Sequence, residues 1–369
     1  MARASIAGNL LDPTYDGRGV RWRRGVGIER ESFARDSNPA ANEAWQRSPF
    51  RAVLDSVDGR LRRRLDASYV AGEFPMLDGM RAQGMTDYLS VRTLAGAPAE
   101  VRATGGMVSS WTTDVPGGFD DAQIAVIEAL LPTLALAFML ETARQTARTL
   151  LVTYLGEDAA ERVLAGNIVR GRAETIRAVV WFSDITGFTP VTESAGAAGA
   201  LALLNDYAEV QVDAIERHGG HVLKFIGDAV LAIFPEADAH VASARALDAA
   251  VDYRRRLAAL RAAREAAGLP VVDTHLALHV GELLYGNVGS ARRLDFTVLG
   301  PAVNAAARIE ALCGALQEPV IVSSAFAAAA VGSRYRLVSL GAHALKGIAL
   351  PQEMFALRDL EAEWPFAQA

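Results

Sequence analysis

Two carboxylates, each following an apolar run, are the residues of this chain best placed to do chemistry. Ala178 to Thr189 reads AVVWFSDITGFT: an apolar β-type run, Val179 to Phe182, leads to Asp184 and breaks into a turn containing Gly187. Val222 to Phe234 repeats the design, with Gly227 and Asp228 between two apolar runs, and reads as a β-hairpin with its carboxylate at the turn. An ionised Asp at the end of a largely buried strand is costly unless a cation or hydrogen bonds compensate it. On adjacent strands, Asp184 and Asp228 could hold a pair of divalent ions. Each also has a plainer reading: Asp184 as an N-cap or Asx turn before Gly187, Asp228 as an ordinary turn residue.

A second block, Gly300 to Glu310 (GPAVNAAARIE), reads as a helix with Pro301 at its first position. Asn304 and Arg308 then lie one turn apart on one face. An ordinary polar face is the alternative, but the rest of that helix is nearly all alanine and aliphatic, which isolates the two polar residues.

Together and in this order, these blocks resemble the class III nucleotidyl cyclases, which make cyclic AMP or cyclic GMP from the triphosphate. The resemblance covers roughly the second half of the chain. It implies that Asp184 and Asp228 bind two Mg²⁺ or Mn²⁺ ions per active site. The turn Ile185, Gly187, Phe188, Thr189, ahead of a helix expected from Pro190, would offer free backbone N–H groups to the metal-bound phosphates. Arg292, rather than Arg293, matches the family's phosphate-binding arginine, Asn304 the ribose-orienting asparagine, and Arg308 the arginine that stabilises charge on the phosphoryl group. Pro301 stands where similar sequences carry an acidic residue. Lys346 falls near the C-terminal motif, but the usual terminal-phosphate lysine position is Ile348, so Lys346 receives no role. His218 and His279 read as structural.

Lys224 matches the family lysine that contacts adenine. Its partner is commonly aspartate, but the spacing to Gly300 and Asn304 puts Thr297, not Asp295, at that position. Threonine there is similar to the subgroup that includes bicarbonate-responsive enzymes. A hydroxyl can accept from the adenine amino group or rotate and donate to the guanine carbonyl. ATP is the expected substrate, with a guanylate cyclase of the same fold as the alternative. A catalytically silent nucleotide-binding or dimerisation module is the reading from another class, and the complete residue set argues against it. Each site of the family lies between two head-to-tail catalytic domains, which implies a homodimer with two equivalent sites.

The elements that must position these residues alternate between strand and helix from Thr175 onward, in an order that fits a ferredoxin-like βαββαβ core with additions. The expected class is therefore α+β. Residues 1–26, rich in Gly, Arg and Asp, read as a mobile arm. Residues 27–145 read as a smaller α/β unit with an amphipathic helix over 49–65 and strands at Asp87–Leu94 and Gly106–Thr113. A long helix follows, N-capped by Asp120 with Gln123 at the capping-box position. Strand, turn, strand and long helix resemble the closing half of a GAF-type sensor domain, implying a small-molecule regulator site or a dimerisation module. The long helix shows a coiled-coil-like seam (Ile124, Ile127, Leu131, Leu134, Phe138) with Pro132 expected to kink or split it. Residues 146–172 form a helical connector, 173–358 the catalytic domain and 359–369 a tail.

The 369 residues carry a net charge of −6, which gives no reason to expect a nucleic-acid partner. The single cysteine, Cys313, excludes an intrachain disulfide, suits a reducing compartment and sits among small apolar residues as a packed thiol. Met1 to Tyr15 lacks the apolar run of a signal peptide, and Ala129–Leu140 is too short to span a bilayer. A cytoplasmic protein without a membrane partner is expected.

Overall fold

The computed structural model describes residues 1–9, 11–35, 42–94, 106–348 and 350–358. The turn-rich stretch between the two expected strands and the 359–369 tail lie outside the described residues. The chain divides into two units, Met1–Leu151 and Val152–Ala369.

The first unit contains β1 (Arg3–Asn9), β2 (Tyr15–Arg23), β3 (Gly27–Ala34), α1 (Glu43–Gln46), α2 (Pro49–Asp55), β4 (Arg60–Arg64), α3 (Pro75–Ala82), β5 (Asp87–Leu94), β6 (Gly106–Thr113) and α4 (Asp121–Leu155). Its strands form one antiparallel sheet in the order β3-β2-β1-β6-β5-β4. Residues 1–26 are therefore not a mobile arm: they supply β1 and β2. Their alternation is thin because only Ala4 and Ile6 pack on the core beneath α4, whereas β2 and β3 are tied by Arg/Glu pairs, Arg21 with Glu31 and Arg23 with Glu29 at 2.8 Å. The helix expected over 49–65 also ends early, at Asp55, and Arg60–Arg64 is a strand. Leu61 falls on helical spacing by coincidence.

The start of α4 is the expected capping box: Gln123 N–H donates to Asp120 Oδ1 at 2.7 Å, and Asp120 N–H donates to Gln123 Oε1 at 3.3 Å. The helix is continuous through Pro132 rather than split. Its apolar seam faces its own sheet, where Ile124, Ile127, Leu131 and Ala135 are buried with Leu89, Met107 and Trp111. By length and composition α4 is long and apolar enough to cross a membrane. Fully buried Asp87 ties its entry to the sheet, accepting from Arg62 at 2.8 Å and from the Phe119 N–H at 3.0 Å.

The second unit runs α5 (Glu157–Leu164), β7 (Ala173–Thr186), α6 (Phe188–Arg217), β8 (His221–Ile226), β9 (Ala229–Phe234), α7 (Ala239–Ala266), β10 (Asp273–Gly289), β11 (Leu294–Leu299), α8 (Pro301–Glu310), α9 (Leu312–Leu316), β12 (Val320–Ser323), α10 (Ser324–Ala329), β13 (Arg336–His343) and β14 (Gln352–Arg358). From β7 to β10 this is βαββαβ, and the sheet order β10-β7-β9-β8 is that of a ferredoxin-like core. Strands β12, β14 and β13 extend it beyond β10, and β11 pairs with β10. Gly281 does not interrupt the sheet: β10 runs through it as one seventeen-residue strand.

Alternation along β7 divides the interior. Val179 and Trp181 point into the core beneath α6 and α7, and Ala178 and Val180 into a second core shared with α5 and α8. Fully buried Trp181 lies 5.9 Å from the Tyr253 ring in an edge-on arrangement and 6.4 Å from Phe234, and its indole N–H donates to Ser183 Oγ at 3.1 Å. Removing that ring leaves a cavity under the strand that carries Asp184. Trp181→Ala should cost about 3–5 kcal/mol, read as a lowered midpoint in urea unfolding. A loss below about 1 kcal/mol would contradict this packing.

Candidate active site

Asp184 stands near the end of β7 on the α8 side, two residues beyond Phe182. Pairing of β7 with β9, Ser183 opposite Val230, brings the β8–β9 turn and Asp228 alongside. Asp184 Oδ1 is buried and has no hydrogen-bond partner among the described residues. Burial first, then the nearby carboxylates of Asp228 and Glu310, push the Asp184 carboxyl up to about 6. Opposite Asp184 on β10 is His275, whose Nδ1 lies 3.6 Å from Glu310 Oε1.

This arrangement fits a hard divalent cation. The donors are carboxylate oxygens, one of them desolvated and unpaired, and a dication would offset the repulsion that raises the Asp184 carboxyl. Among the described residues no group of three or more His, Cys, Asp or Glu converges as a metal cage. Two carboxylates with open positions suit Mg²⁺ or Mn²⁺, which take their remaining ligands from water and phosphate.

After Asp184 the chain turns through Gly187, whose φ of +75° is left-handed and suits a residue without a side chain. Gly187 is the N-cap of α6, which starts at Phe188 rather than Pro190. Ile185 points into the core, so it can offer only backbone to a ligand; Phe188 is half-buried against the same core and Thr189 is exposed. The first N–H groups of a helix lack intrahelical partners and suit an anion.

Lys224 on β8 ion-pairs with Asp295 on β11, not with Asp228. Thr297 is two residues from Asp295 on the same face of β11 and is buried. The structure thus brings Lys224, Asp295 and the Thr297 strand together, and Asp295 is a contact that the sequence reading set aside. Arg292 lies in the exposed β10–β11 turn, its N–H donating to Ser290 Oγ at 3.3 Å.

On α8, Ala302, Ala305, Ala306 and Ile309 are buried, leaving Asn304 exposed and Arg308 half-buried. A side chain at Gly347, whose φ is +74°, would begin 3.5 Å from the Arg308 guanidinium, so the turn after Lys346 makes room for that group. The bystanders are accounted for elsewhere. His279 Nδ1 is 2.8 Å from Ser323 Oγ, and burial holds its pKa below the usual range. His218 is 3.6 Å from Asp252, and burial pushes the Cys313 thiol up to about 12, away from thiolate chemistry. Sequence reasoning missed His275 and Glu310. A carboxylate, Glu310, on an otherwise largely alanine and aliphatic helix was the available signal.

The family model for the adenylate and guanylate cyclase catalytic domain matches residues 172–359, just over half of the chain. The chain belongs to that family. It is 36% identical over 150 residues to an adenylate cyclase of Anabaena cylindrica, a match covering 40% of this chain and 29% of that protein. Adenylate cyclase 1 of Rhizobium meliloti is 33% identical over 149 residues, covering 40% and 22%. A solved bacterial light-regulated adenylyl cyclase superposes with a TM-score of 0.54 and 28% identity over 62% of this chain and 65% of that one. The chain spans less than a third of the length of these two curated relatives.

A carboxyl whose pKa is raised on folding favours the folded state while protonated and opposes it once ionised. The metal-free protein therefore loses stability as pH rises from the unfolded-state value of 3.8 through about 6. Asp184→Asn should raise the melting temperature at pH 8 by about 2 °C, with the gain vanishing near pH 4. Equal melting temperatures at both pH values would show that the Asp184 charge is not opposed by its surroundings.

Proposed function

We propose that this protein is a cytoplasmic adenylate cyclase that converts ATP to 3′,5′-cyclic AMP and pyrophosphate in signal transduction. The observation that carries the reading is the convergence of Asp184 and Asp228 from two strand ends, with one buried oxygen lacking a partner. The adenylate cyclase names of the relatives favour ATP.

In the proposed reaction the ribose 3′-oxygen bonds to the α-phosphorus, the bond from that phosphorus to the bridging oxygen breaks, and the hydroxyl proton is lost. Two bound Mg²⁺ or Mn²⁺ ions would lower the pKa of the 3′-hydroxyl and neutralise phosphate charge. Asp184 and Asp228 hold them. The amides around Gly187, Phe188 and Thr189 and the backbone at Ile185 receive phosphate oxygens, with Arg292 as a further phosphate contact. Asn304 orients the ribose, and Arg308 stabilises charge developing on the phosphoryl group. Lys224 donates to a ring nitrogen of adenine and the Thr297 hydroxyl accepts from its amino group, once Lys224 leaves Asp295.

The proposed active form is a homodimer, with each site taking its carboxylates from one protomer and Lys224, Thr297, Asn304 and Arg308 from the other. Exposed apolar side chains on β8, β10 and β11, among them Phe225, Ile226, Leu284, Val288 and Leu299, support burial against a second copy. We assign the first unit a sensor or dimerisation role, GAF-like in kind, with a small-molecule regulator as its input. Stimulation by bicarbonate is part of the threonine-subgroup proposal.

Purified full-length protein with Mn²⁺ should form cyclic AMP from ATP in preference to cyclic GMP from GTP. Asp228→Ala should abolish product, and Asn304→Ala should lower kcat by about 100-fold. Faster turnover of GTP would transfer the assignment to guanylate cyclase, and silence with both nucleotides would leave the non-catalytic binding module. Unchanged turnover across a bicarbonate titration at fixed pH would remove the bicarbonate proposal.

A further inference from the structure

We infer that Asp158, Arg162 and Tyr285 form a positioning clasp through which α5 sets the β10–β11 hairpin, and with it Thr297, for recognition of the base. This rests on the nucleotide-cyclase reading above and names residues outside the proposed chemical site.

The clasp is built from four contacts. The Tyr285 hydroxyl donates to Asp158 Oδ2 at 2.7 Å, and Arg162 Nε donates to the same oxygen at 2.8 Å. The Arg162 guanidinium lies over the Tyr285 ring, 5.0 Å from its centroid, and its Nη1 reaches Glu174 on β7 at 2.5 Å. Burial and the Asp158 carboxylate push the Tyr285 hydroxyl far above its ordinary range, so it remains a donor. Hydrogen bonds to an ionised acceptor are stronger than neutral ones.

Tyr285 transmits this anchoring to β11. Its ring stands edge-on to Phe296 at 4.9 Å, and it pairs with Val298 across the ladder. Phe296 and Val298 flank Thr297 in sequence and point to the α5 side, in one core with Ala159 of α5. Thr297 and Asp295 therefore point to the opposite face. The segment after α5 is stitched to the same hairpin. Asn287, nearly fully buried, donates its side-chain amide to Asn167 O at 2.7 Å, while its backbone pairs with Gly171 and Arg172 at 3.0 Å each. A cleft of about 120 Å³, bordered by Gly156, Asp158, Glu216, His221, Leu223 and Tyr285, lies beside the clasp.

A displacement or rotation of α5 would thus act most directly on the hairpin that bears Thr297, whereas Asp184 lies ten residues along β7 from the clasp's contact at Glu174. Loss of the clasp should weaken nucleotide recognition more than it slows chemistry.

Tyr285→Phe keeps the ring on Phe296 and Arg162 and removes only the bond to Asp158; Asp158→Asn weakens the same contact from the other side. In the full-length protein each should raise KM for ATP by about five- to tenfold with kcat within about twofold, the loss expected for one charge-assisted hydrogen bond. The amides of Leu294–Leu299 should exchange hydrogen faster by a similar factor, while the melting temperature of Tyr285→Phe falls by no more than about 2 °C. Unchanged KM and unchanged exchange in both variants would overturn the clasp. So would kcat and KM effects that merely track lost thermal stability. If the unaltered chain cyclises neither ATP nor GTP, the functional proposal fails, and the exchange measurement still decides whether α5 sets this hairpin.

Discussion

The second unit depends on keeping a charged carboxyl where burial opposes its charge. Asp184 occupies that position because β7 is the central strand of its sheet, fixed from below by Trp181 and paired on both edges by β9 and β10. A side chain on a loop could relax away from Asp228 and Glu310; this one is held by the strand. The strain appears as a carboxyl near 6 and an oxygen without a partner, a poor arrangement for a structural residue and a good one for receiving a cation.

The proposed base-recognition side follows the opposite plan. Among the described residues, Thr297 and Asp295 lie on a strand that pairs only with β10, and Lys224 comes from the sheet-edge strand β8. The carboxylates are thus rigid and the proposed base subsite is supported at the margin. Such a division lets one domain keep its reacting geometry fixed while another part of the chain adjusts how well a nucleotide is held. The α5 segment, near the start of the second unit, contacts the marginal part through Tyr285 and Asn287.

Much of the second unit was legible in the sequence because its signals are local. The apolar runs of β7 and β9 have strand length, Gly187 and Pro301 mark helix starts, and Asp184 and Asp228 end their runs in a way that a plain core strand would not. The first unit was harder to read. In β2 and β3 the outward residues are arginines and glutamates that satisfy one another across strands, so residues 1–26 look aperiodic although they form a sheet. In 49–65 a single leucine on helical spacing disguised the change to the arginine-rich strand β4. The pairing of Lys224 with Asp295, the ion pair of His275 with Glu310 and the bond from Tyr285 to Asp158 join residues far apart in sequence. No periodicity encodes such pairs.

Among the described strands β11 pairs with β10 alone, which has a consequence for how this domain can change. A substitution in β11 perturbs one ladder rather than two, so its penalty falls mainly on the hairpin and leaves the Trp181 interior untouched. Residues such as Asp295 and Thr297 can then vary at little expense to folding, whereas Asp184 is locked into a strand where neighbouring replacements are punished. Under the proposed function, descendants of such a domain could acquire a new nucleotide preference in a few steps while inheriting the proposed metal-binding end intact.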